Sequence, residues 1–260
     1  MSSPRTPDPR ARRAFTLLEV LVAMVILAIL ASGLAIPLAA QVELRWQEAT
    51  RRQLDEAKEA LLGFAAAHGR LPCPASEASR GLESFAAGGD SANGLCSNFY
   101  DGYLPAAALG LAPLDGEGFL RDAWGAARNR VRYAVAGIAV NGAANALTRA
   151  NGMQAATLAG LGAASHFLLI CASGAGVSAS SCGPAANQLT RKAAFILLSL
   201  GADAAATPPA GGDAARNLDG DAVFVFREAT NAPQNPFDDI VLWVPVHLVA
   251  SRLIAAGRLP

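Results

Sequence analysis

The feature that most constrains this chain is a continuous apolar run near its N-terminus, preceded directly by one acid. From Val20 to Ala40 the sequence contains no charged residue, and Glu19 stands at the head of the run. At about 1.5 Å per helical residue, such a run reaches across the roughly 30 Å hydrocarbon core of a bilayer. The run therefore predicts a membrane-spanning helix.

The charges in front of the run predict its orientation. Four arginines precede it, against the single acid Asp8. Because basic residues favour the cytoplasmic side, we expect a single-pass protein of a bacterial inner membrane with its C-terminal part in the periplasm. A carboxylate inside such a helix needs a cationic partner, and none lies beside Glu19 in the run. Glu19 is therefore a candidate functional residue.

The segment FTLLE, Phe15–Glu19, follows a basic leader and Ala14, and it resembles the prepilin signature of type IV pilins and type II secretion pseudopilins. The resemblance implies that a prepilin peptidase cleaves between Ala14 and Phe15 and methylates the new N-terminus. It implies that Glu19, then the fifth residue, meets the free amine of a neighbouring subunit during assembly. Pro37 stands one place later than the proline that kinks the helix in that family, and Ala14 replaces the usual glycine.

Three other interpretations of the N-terminus compete with this one. Arg12–Phe15 also resembles a twin-arginine export signal, Pro37–Ala40 resembles a signal-peptidase site, and the run could be a plain anchor. The two export signals have no use for Glu19, and the run is longer than the roughly 7 to 15 residues of a signal core. The prepilin interpretation is therefore favoured.

The chain after the run predicts an amphipathic extension of the same helix. In Glu43–His68, apolar residues alternate with charged ones at roughly helical spacing, and Gly69 and Pro72 mark the end. Short β-rich runs follow, and a short helix ends the chain. The runs are Val131–Val140, Phe167–Ala172, Phe195–Leu200, Val223–Phe226 and Ile240–Val244, and the helix is Val246–Ala256.

These elements predict an α+β, pilin-like fold, in which a long N-terminal helix with a membrane half and an amphipathic half packs on an antiparallel β-sheet head. We expect four segments along the chain. They are a leader at 1–14, a transmembrane and assembly helix at 15–40, its amphipathic half at 41–68, and a globular head at 69–260.

Four cysteines without a CxxC pair are typical of an oxidising compartment and predict two disulfides. Cys171 ends an apolar run and Cys182 follows a Ser/Gly-rich loop, which favours a pair across a hairpin. Cys73 and Cys96 would then pair by elimination. A zinc site at His68 and Cys73 matches no known ligand spacing.

The head carries a second resemblance, to the major pseudopilin of type II secretion. Asp122–Gly125 followed by Arg132-Tyr133 resembles its D-P-W-G segment and the strand after it, while Leu198–Asp203 and Asp239–Trp243 resemble its S-L-G-A-D and D-I-x-x-W segments. The intervening regions are longer than in that family, which predicts a larger, minor or divergent member.

In those pseudopilins the loop between the last two segments binds calcium. The resemblance therefore implies a structural calcium at Asp203 and Asp239, with Asp238 adjacent, and no other cofactor. Val241 stands where the family offers a further side-chain oxygen. A second acidic pattern fits the spacing of an EF-hand loop but has alanine where the sharp turn wants glycine; its members are Asn217, Asp219, Asp221 and Glu228.

Composition and motifs argue against other functions. Lys plus Arg equals Asp plus Glu at 21 each, so no basic excess is available to bind nucleic acid. No G-x-S-x-G elbow, phosphate-binding loop or dinucleotide fingerprint occurs, and we expect no enzyme. The alternative is an anchored or exported periplasmic binding domain, an adhesin or an unrecognised enzyme with a different signal.

The sequence thus predicts a structural subunit of a type IV pilus or a type II secretion pseudopilus, assembled through its N-terminal helix. The resemblance implies as partners the prepilin peptidase, other pilin or pseudopilin subunits, an inner-membrane platform and a cytoplasmic assembly ATPase. The protein is expected in the inner membrane with its head in the periplasm, and then in the filament.

Overall fold

The computed structural model describes residues 16–126, 128–165, 167–204, 212–230 and 232–259, without the side chains of residues 31–40. The chain divides into two compact units, one up to Arg45 and one from Trp46 onward. In the part of the chain described, no helix has both the length and the apolar character needed to cross a membrane.

The first helix, α1, runs from Leu17 to His68 and contributes to both units. It ends where the sequence predicts. Gly69 adopts the left-handed region with φ 67°, and its N–H donates to the Ala65 carbonyl at 2.8 Å, as in an αL cap. Arg258 Nε also donates to the Ala66 carbonyl, at 3.2 Å. The last turn of α1 is therefore closed by its own cap and by the C-terminal segment.

In the second unit, α1 buries one apolar face. Its members follow a spacing of three or four residues, with one adjacent pair, and are Leu54, Ala57, Leu61, Leu62 and Ala65, each at most 2 % exposed. They belong to the same buried cluster as the strands of the sheet. The amphipathic helix predicted from the sequence is confirmed over this stretch, and its apolar face forms one wall of the head's core.

Six strands and four short helices follow in the described part of the chain. The strands are β1 (Gly102–Tyr103), β2 (Arg132–Val135), β3 (Leu168–Cys171), β4 (Gln188–Ser199), β5 (Val223–Val225) and β6 (Ile240–Pro245). The helices are α2 (Gly152–Ala156), α3 (Leu158–Ala163), α4 (Asp213–Arg216) and α5 (Val246–Ala255), with 3₁₀ turns at 77–79, 185–187 and 201–203.

Strand β4 is the centre of the sheet. It pairs antiparallel with β2, β3 and β6, and β1 extends the sheet beyond β2. β3 also pairs with β5, and that pair is parallel. The α+β class is confirmed, with a sheet that is mostly rather than wholly antiparallel.

β2 ends at Val135, before the predicted end at Val140, and three further details differ from the prediction. β4 begins at Gln188 rather than Phe195, because its first half alternates exposed polar residues with partly buried ones and so has no apolar run. β1 has only two residues, too few to show a pattern. The parallel pair joins strands about fifty residues apart in sequence, and such a long connection is what a parallel arrangement needs.

Both disulfides form, in the pairs expected from the sequence: Cys73–Cys96 and Cys171–Cys182. The first ties down the irregular segment after α1, where Glu83 also accepts a hydrogen bond from the Cys73 N–H at 2.8 Å. The second closes the connection between β3 and β4. Since Cys73 is bonded to Cys96, it is not available for the zinc site considered above.

We expect the double substitution Cys171→Ser/Cys182→Ser to lower the free energy of unfolding by about 3 kcal/mol, because the disulfide restricts a short loop in the unfolded chain. Urea unfolding without reductant measures this change. The matched variant Cys73→Ser/Cys96→Ser opens a loop twice as long, and its loss should be larger by roughly half a kcal/mol. A non-reducing peptide map that links Cys171 to Cys73 or Cys96 would contradict the pairing.

Candidate functional site

The start of α1 is closed by a reciprocal capping box. The Thr16 N–H donates to Glu19 Oε2 at 3.3 Å, and the Glu19 N–H donates to Thr16 Oγ1 at 3.2 Å. This is the arrangement expected for a threonine followed three residues later by a glutamate, and it satisfies two backbone donors that a helix start leaves open. The Glu19 carboxylate is therefore held at the first turn of the helix against Thr16, the second residue after the predicted cleavage point.

The other predicted residues of this segment are Ala14, Phe15 and Pro37. Ala14 and Phe15 lie outside the described residues. The backbone of α1 continues through Pro37, whose side chain is also outside them. Cleavage, methylation and the kink therefore stay predictions, whereas Glu19 is placed.

The helix after Glu19 exposes apolar side chains on all its faces. Every large apolar residue from Leu17 to Leu30 is exposed, from 47 % at Val20 to 84 % at Leu17. A helix that is apolar all round is normally covered by lipid or by other protein. This stretch is thus suited to contact with a bilayer or with apolar surfaces of other chains.

In the head, a buried carboxylate joins two of the segments singled out in the sequence. Asp122 accepts hydrogen bonds from Ser199 Oγ at 2.6 Å and from Asn129 Nδ2 at 2.9 Å, and Asn129 also donates to the Gly201 carbonyl at 2.7 Å. Asp122 is 4 % exposed, and burial raises its pKa although these hydrogen bonds lower it. The D-A-W-G and S-L-G-A-D segments are therefore in direct contact.

The same network reaches α1. The Ala123 N–H donates to Oγ1 of Thr50 at 3.1 Å, and Thr50 is fully buried. The Trp124 N–H donates to Asp122 Oδ1 at 3.0 Å, and the Trp124 ring lies 6.5 Å from that of Trp46. The loop carrying Trp124 is thus fixed to α1 on one side and to the end of β4 on the other.

The acids predicted as calcium ligands lie beside this network. The Asp203 N–H donates to Asp238 Oδ2 at 3.0 Å, and Gly201 packs so closely that a Cβ there would lie 2.6 Å from the Asp238 carbonyl oxygen. Asp239 is 7 % exposed and accepts a hydrogen bond from Asn217 Nδ2 at 2.7 Å. The S-L-G-A-D and D-I-x-x-W segments therefore also meet.

Burial and mutual repulsion raise the pKa values of these acids. Burial, together with the adjacent Asp203 carboxylate, raises the pKa of Asp238 to about 6. Burial raises the pKa of Asp239 to about 7 against the Asn217 hydrogen bond, which lowers it. Oδ1 of Asp238 is buried with no hydrogen-bond partner among the described residues. A proton or a cation between Asp203 and Asp238 would reduce the repulsion between the two carboxylates.

The trio does not form a complete metal site. Across the described ranges, no group of three or more His, Cys, Asp or Glu side chains is placed to hold a metal ion. Since Asp239 is engaged with Asn217, the two predicted ligands that lie together are Asp203 and Asp238. Calcium at this place stays a prediction, with that pair as its core.

Two residues of the EF-hand-like pattern, Asn217 and Asp221, form hydrogen bonds with the backbone of β5. Asn217 accepts from the Val225 N–H at 2.7 Å and so brackets β5, and Asp221 accepts from the Val223 N–H at 2.7 Å. Both side chains hold the strand rather than converge on one point.

Two cavities flank the acids. One, of about 580 Å³, is lined by Arg51 and Leu54 of α1, by Phe226 and by Asp238 and Asp239. The other, of about 380 Å³, lies near Asp203 and Asp239 and is lined also by Tyr103, Arg128 and Arg132.

Sequence reasoning missed several residues of these sites. Thr16 had a detectable signal, because T-x-x-E before an apolar run is the capping-box pattern. Ser199 and Asn217 lay within patterns singled out above, but their contacts with Asp122 and Asp239 had no signal, since each bonds to a carboxylate far away in sequence.

We expect the head to become more stable as the pH falls from about 7 to about 4 in calcium-free buffer. The folded pKa values of Asp238 and Asp239 lie above the unfolded value of 3.8, so the folded state binds protons more tightly over that range. Asp238→Asn should raise the free energy of unfolding near neutral pH by on the order of 1 kcal/mol and flatten this pH dependence. Urea unfolding at a series of pH values measures both.

Glu56→Gln, an exposed substitution on α1, serves as the control and should leave the profile unchanged. An Asp238→Asn variant with the wild-type profile would contradict the assigned pKa.

The comparisons with known proteins concern the N-terminus. Residues 9–35 match a family model described as the prokaryotic N-terminal methylation motif. The comparison with curated proteins gave no match, and neither did the comparison with solved structures. The likeness of the head to the major pseudopilin therefore stays a prediction. The matched segment contains the predicted cleavage point and Glu19, and it shows that this chain carries a type IV prepilin-like signature at its N-terminus.

Proposed function

We propose that this protein is a structural subunit, of the larger and minor kind, of a type IV pilus or a type II secretion pseudopilus. The observation that carries the proposal is the helix start, where a methylation motif, an N-terminal carboxylate and an apolar helix surface coincide. Each part has a use in such a subunit. The motif directs processing, the carboxylate selects a neighbour, and the apolar surface is covered first by lipid and then by other helices.

The physical argument for assembly rests on burial. The apolar side chains from Leu17 to Leu30 are exposed in the single chain, and burying one such side chain contributes about 1.5 to 3 kcal/mol. A bundle of these helices covers that surface outside the membrane. Extraction from the bilayer still needs energy, which a cytoplasmic ATPase acting through an inner-membrane platform would supply.

Glu19 fixes the axial register between neighbouring helices of the bundle. Its carboxylate is buried in an apolar environment in either setting, so it needs a cation there. The free amine of Phe15 in a neighbouring mature chain is such a cation, and pairing with it fixes the axial offset between two helices. The capping box shows that the carboxylate is already directed to the N-terminal end of its own helix.

Substitutions at Glu19 and Thr16 test this role. Glu19→Ala removes both the charge and the cap, Glu19→Gln removes the charge and keeps a capping side chain, and Thr16→Ala removes the cap alone. We expect all four proteins, wild type included, to be processed to a chain that begins with methylated Phe15, as measured by intact mass with and without the prepilin peptidase. Both Glu19 variants should be depleted at least tenfold from sheared filaments, while Thr16→Ala remains near wild type.

Normal incorporation of Glu19→Gln would show that the charge is not used and would overturn the pairing. A wild-type chain that starts at Met1 or near Gln41 in both strains would overturn the filament proposal itself.

We further propose that calcium stabilises the head at Asp203 and Asp238. The support is the contact between these two acids, the unpartnered Asp238 Oδ1 and the raised pKa of Asp238. Carboxylate oxygens suit calcium, and backbone carbonyls and water would complete its six to eight ligands.

We expect calcium to raise the melting temperature of the wild-type protein relative to a chelator, and expect Asp203→Asn and Asp238→Asn each to abolish the rise. Magnesium is the control, because it accepts this irregular geometry less readily. A melting temperature that calcium leaves unchanged, or a rise that survives both substitutions, would contradict a calcium site at this pair.

A further inference from the structure

The larger of the two cavities beside the acids, of about 580 Å³, lies wholly within the second unit. Its lining comes from residues 47–55 of α1, residues 226–229 after β5, and residues 238–242 at the start of β6. Small-molecule sites in proteins have volumes of roughly 300 to 1,000 Å³. The cavity therefore has the size of a small-molecule site, and neither the filament role nor a calcium ion accounts for a space of this size.

One part of the lining is apolar and fixed in position. Phe226 is 38 % exposed, and its ring packs edge-on against that of Trp243 with the centroids 4.9 Å apart. Ile240 and Leu242 of β6 are half-buried and line the same cavity. An aromatic ring that is held by a second ring, with aliphatic side chains beside it, suits the apolar body of a ligand.

The most buried part of the lining carries carboxylate oxygens. Asp239 is 7 % exposed, and its Oδ2 accepts the Asn217 Nδ2–H at 2.7 Å, whereas its Oδ1 has no hydrogen-bond partner among the described residues. Oδ1 of Asp238, in the same lining, is also without a partner there. Because a buried carboxylate oxygen without a donor is costly, these atoms favour a ligand that brings a hydrogen-bond donor with a positive charge.

The charges around the cavity favour the same kind of ligand. The lining contains four acids and two arginines. One arginine and one acid have partners outside it, since Arg227 bonds to Asp213, and Asp55 bonds to Lys58 at 2.6 Å. That leaves three acids against Arg51, which is a net charge of −2 (one positive against three negative). The cavity is therefore complementary to a cation and repels an anion.

We propose that this cavity binds a small organic amine, whose ammonium group donates to the free oxygen of Asp239 and whose apolar body lies against Phe226 and Leu242. A neutral ligand of the same shape would bring no charge to the carboxylates, and a bare metal ion would leave the apolar lining unused. The inference is independent of the filament role. It is also distinct from the proposed calcium pair, because calcium would use Asp203, which does not line this cavity.

Isothermal titration calorimetry on the full chain in detergent tests the proposal. The probe is phenethylamine, and the matched probes are phenethyl alcohol, which lacks the charge, and phenylacetate, which carries the opposite one. A chelator is present so that calcium does not compete at Asp238. The variants are Asp239→Asn, which keeps an acceptor for Asn217, Phe226→Ala, which removes the aromatic wall, and Glu56→Gln, which removes an exposed carboxylate outside the lining.

We expect the wild-type protein to bind phenethylamine with a Kd on the order of 1 mM or below, as a ligand of this size allows. Binding of the alcohol and of phenylacetate should be roughly tenfold weaker or more, because neither supplies a cation to the carboxylates. Asp239→Asn should weaken amine binding by a similar factor, and Phe226→Ala by about fivefold. Glu56→Gln should bind as the wild type does.

Equal heats for the three probes would assign the signal to the detergent and overturn the proposal. Amine binding that survives Asp239→Asn, in protein whose urea unfolding shows that it is folded, would also overturn it. If Asp239→Asn does not fold, Phe226→Ala decides: weaker binding supports the cavity, and unchanged binding contradicts it. None of these outcomes bears on the filament proposal, which depends on processing and incorporation of the chain.

Discussion

The head depends on the burial of one face of α1 against the sheet built around β4. The side chains from Leu54 to Ala65 share a single core with residues of β2, β4 and β6 and with Val249 and Leu253 of α5. Neither the helix nor the sheet would be stable without the other. An amphipathic helix without a partner leaves its apolar face in water, and a curled sheet with one apolar face needs a cover. The packing of α1 on the sheet therefore also fixes the positions of the strand ends, from which the loops start.

The buried polar groups determine how those loops meet. Asp122 joins the loop before β2 to the end of β4, and Asn217 joins the segment before β5 to Asp239, just before β6. Such groups are costly when unpaired, so each contact restricts the fold to arrangements in which its partner is present. The three sequence segments that resemble the major pseudopilin are thus brought together physically.

Much of the architecture was predictable because it depends on local patterns. The end of α1 follows from Gly69, and the cores of β3, β5 and β6 follow from short apolar runs bounded by turn residues. The first half of β4 was not predictable, since Gln188–Lys192 is largely polar and becomes a strand only by pairing with β3. The candidate site likewise contains residues that a local pattern predicts and residues that it does not. Glu19 stands out in sequence because an acid beside an apolar run is costly. The environment of Asp239 depends on Asn217, and no local pattern connects them.

The order in which the chain emerges has a consequence for how the head forms. Arg252 of α5 bonds to Glu59 at 2.9 Å, and Arg258 reaches the carbonyl of Ala66, so α1 is closed by residues made about 190 positions later. β6, which pairs along one side of β4, also lies far from α1 in the chain. Contacts of such long sequence separation form late and together. The first half of α1 is therefore synthesised long before the head can fold, and the newborn chain carries an open core until Val249 and Leu253 have been made. A chain truncated before Val249 would leave that core uncovered, so an intact α5 reports that the head is fully folded.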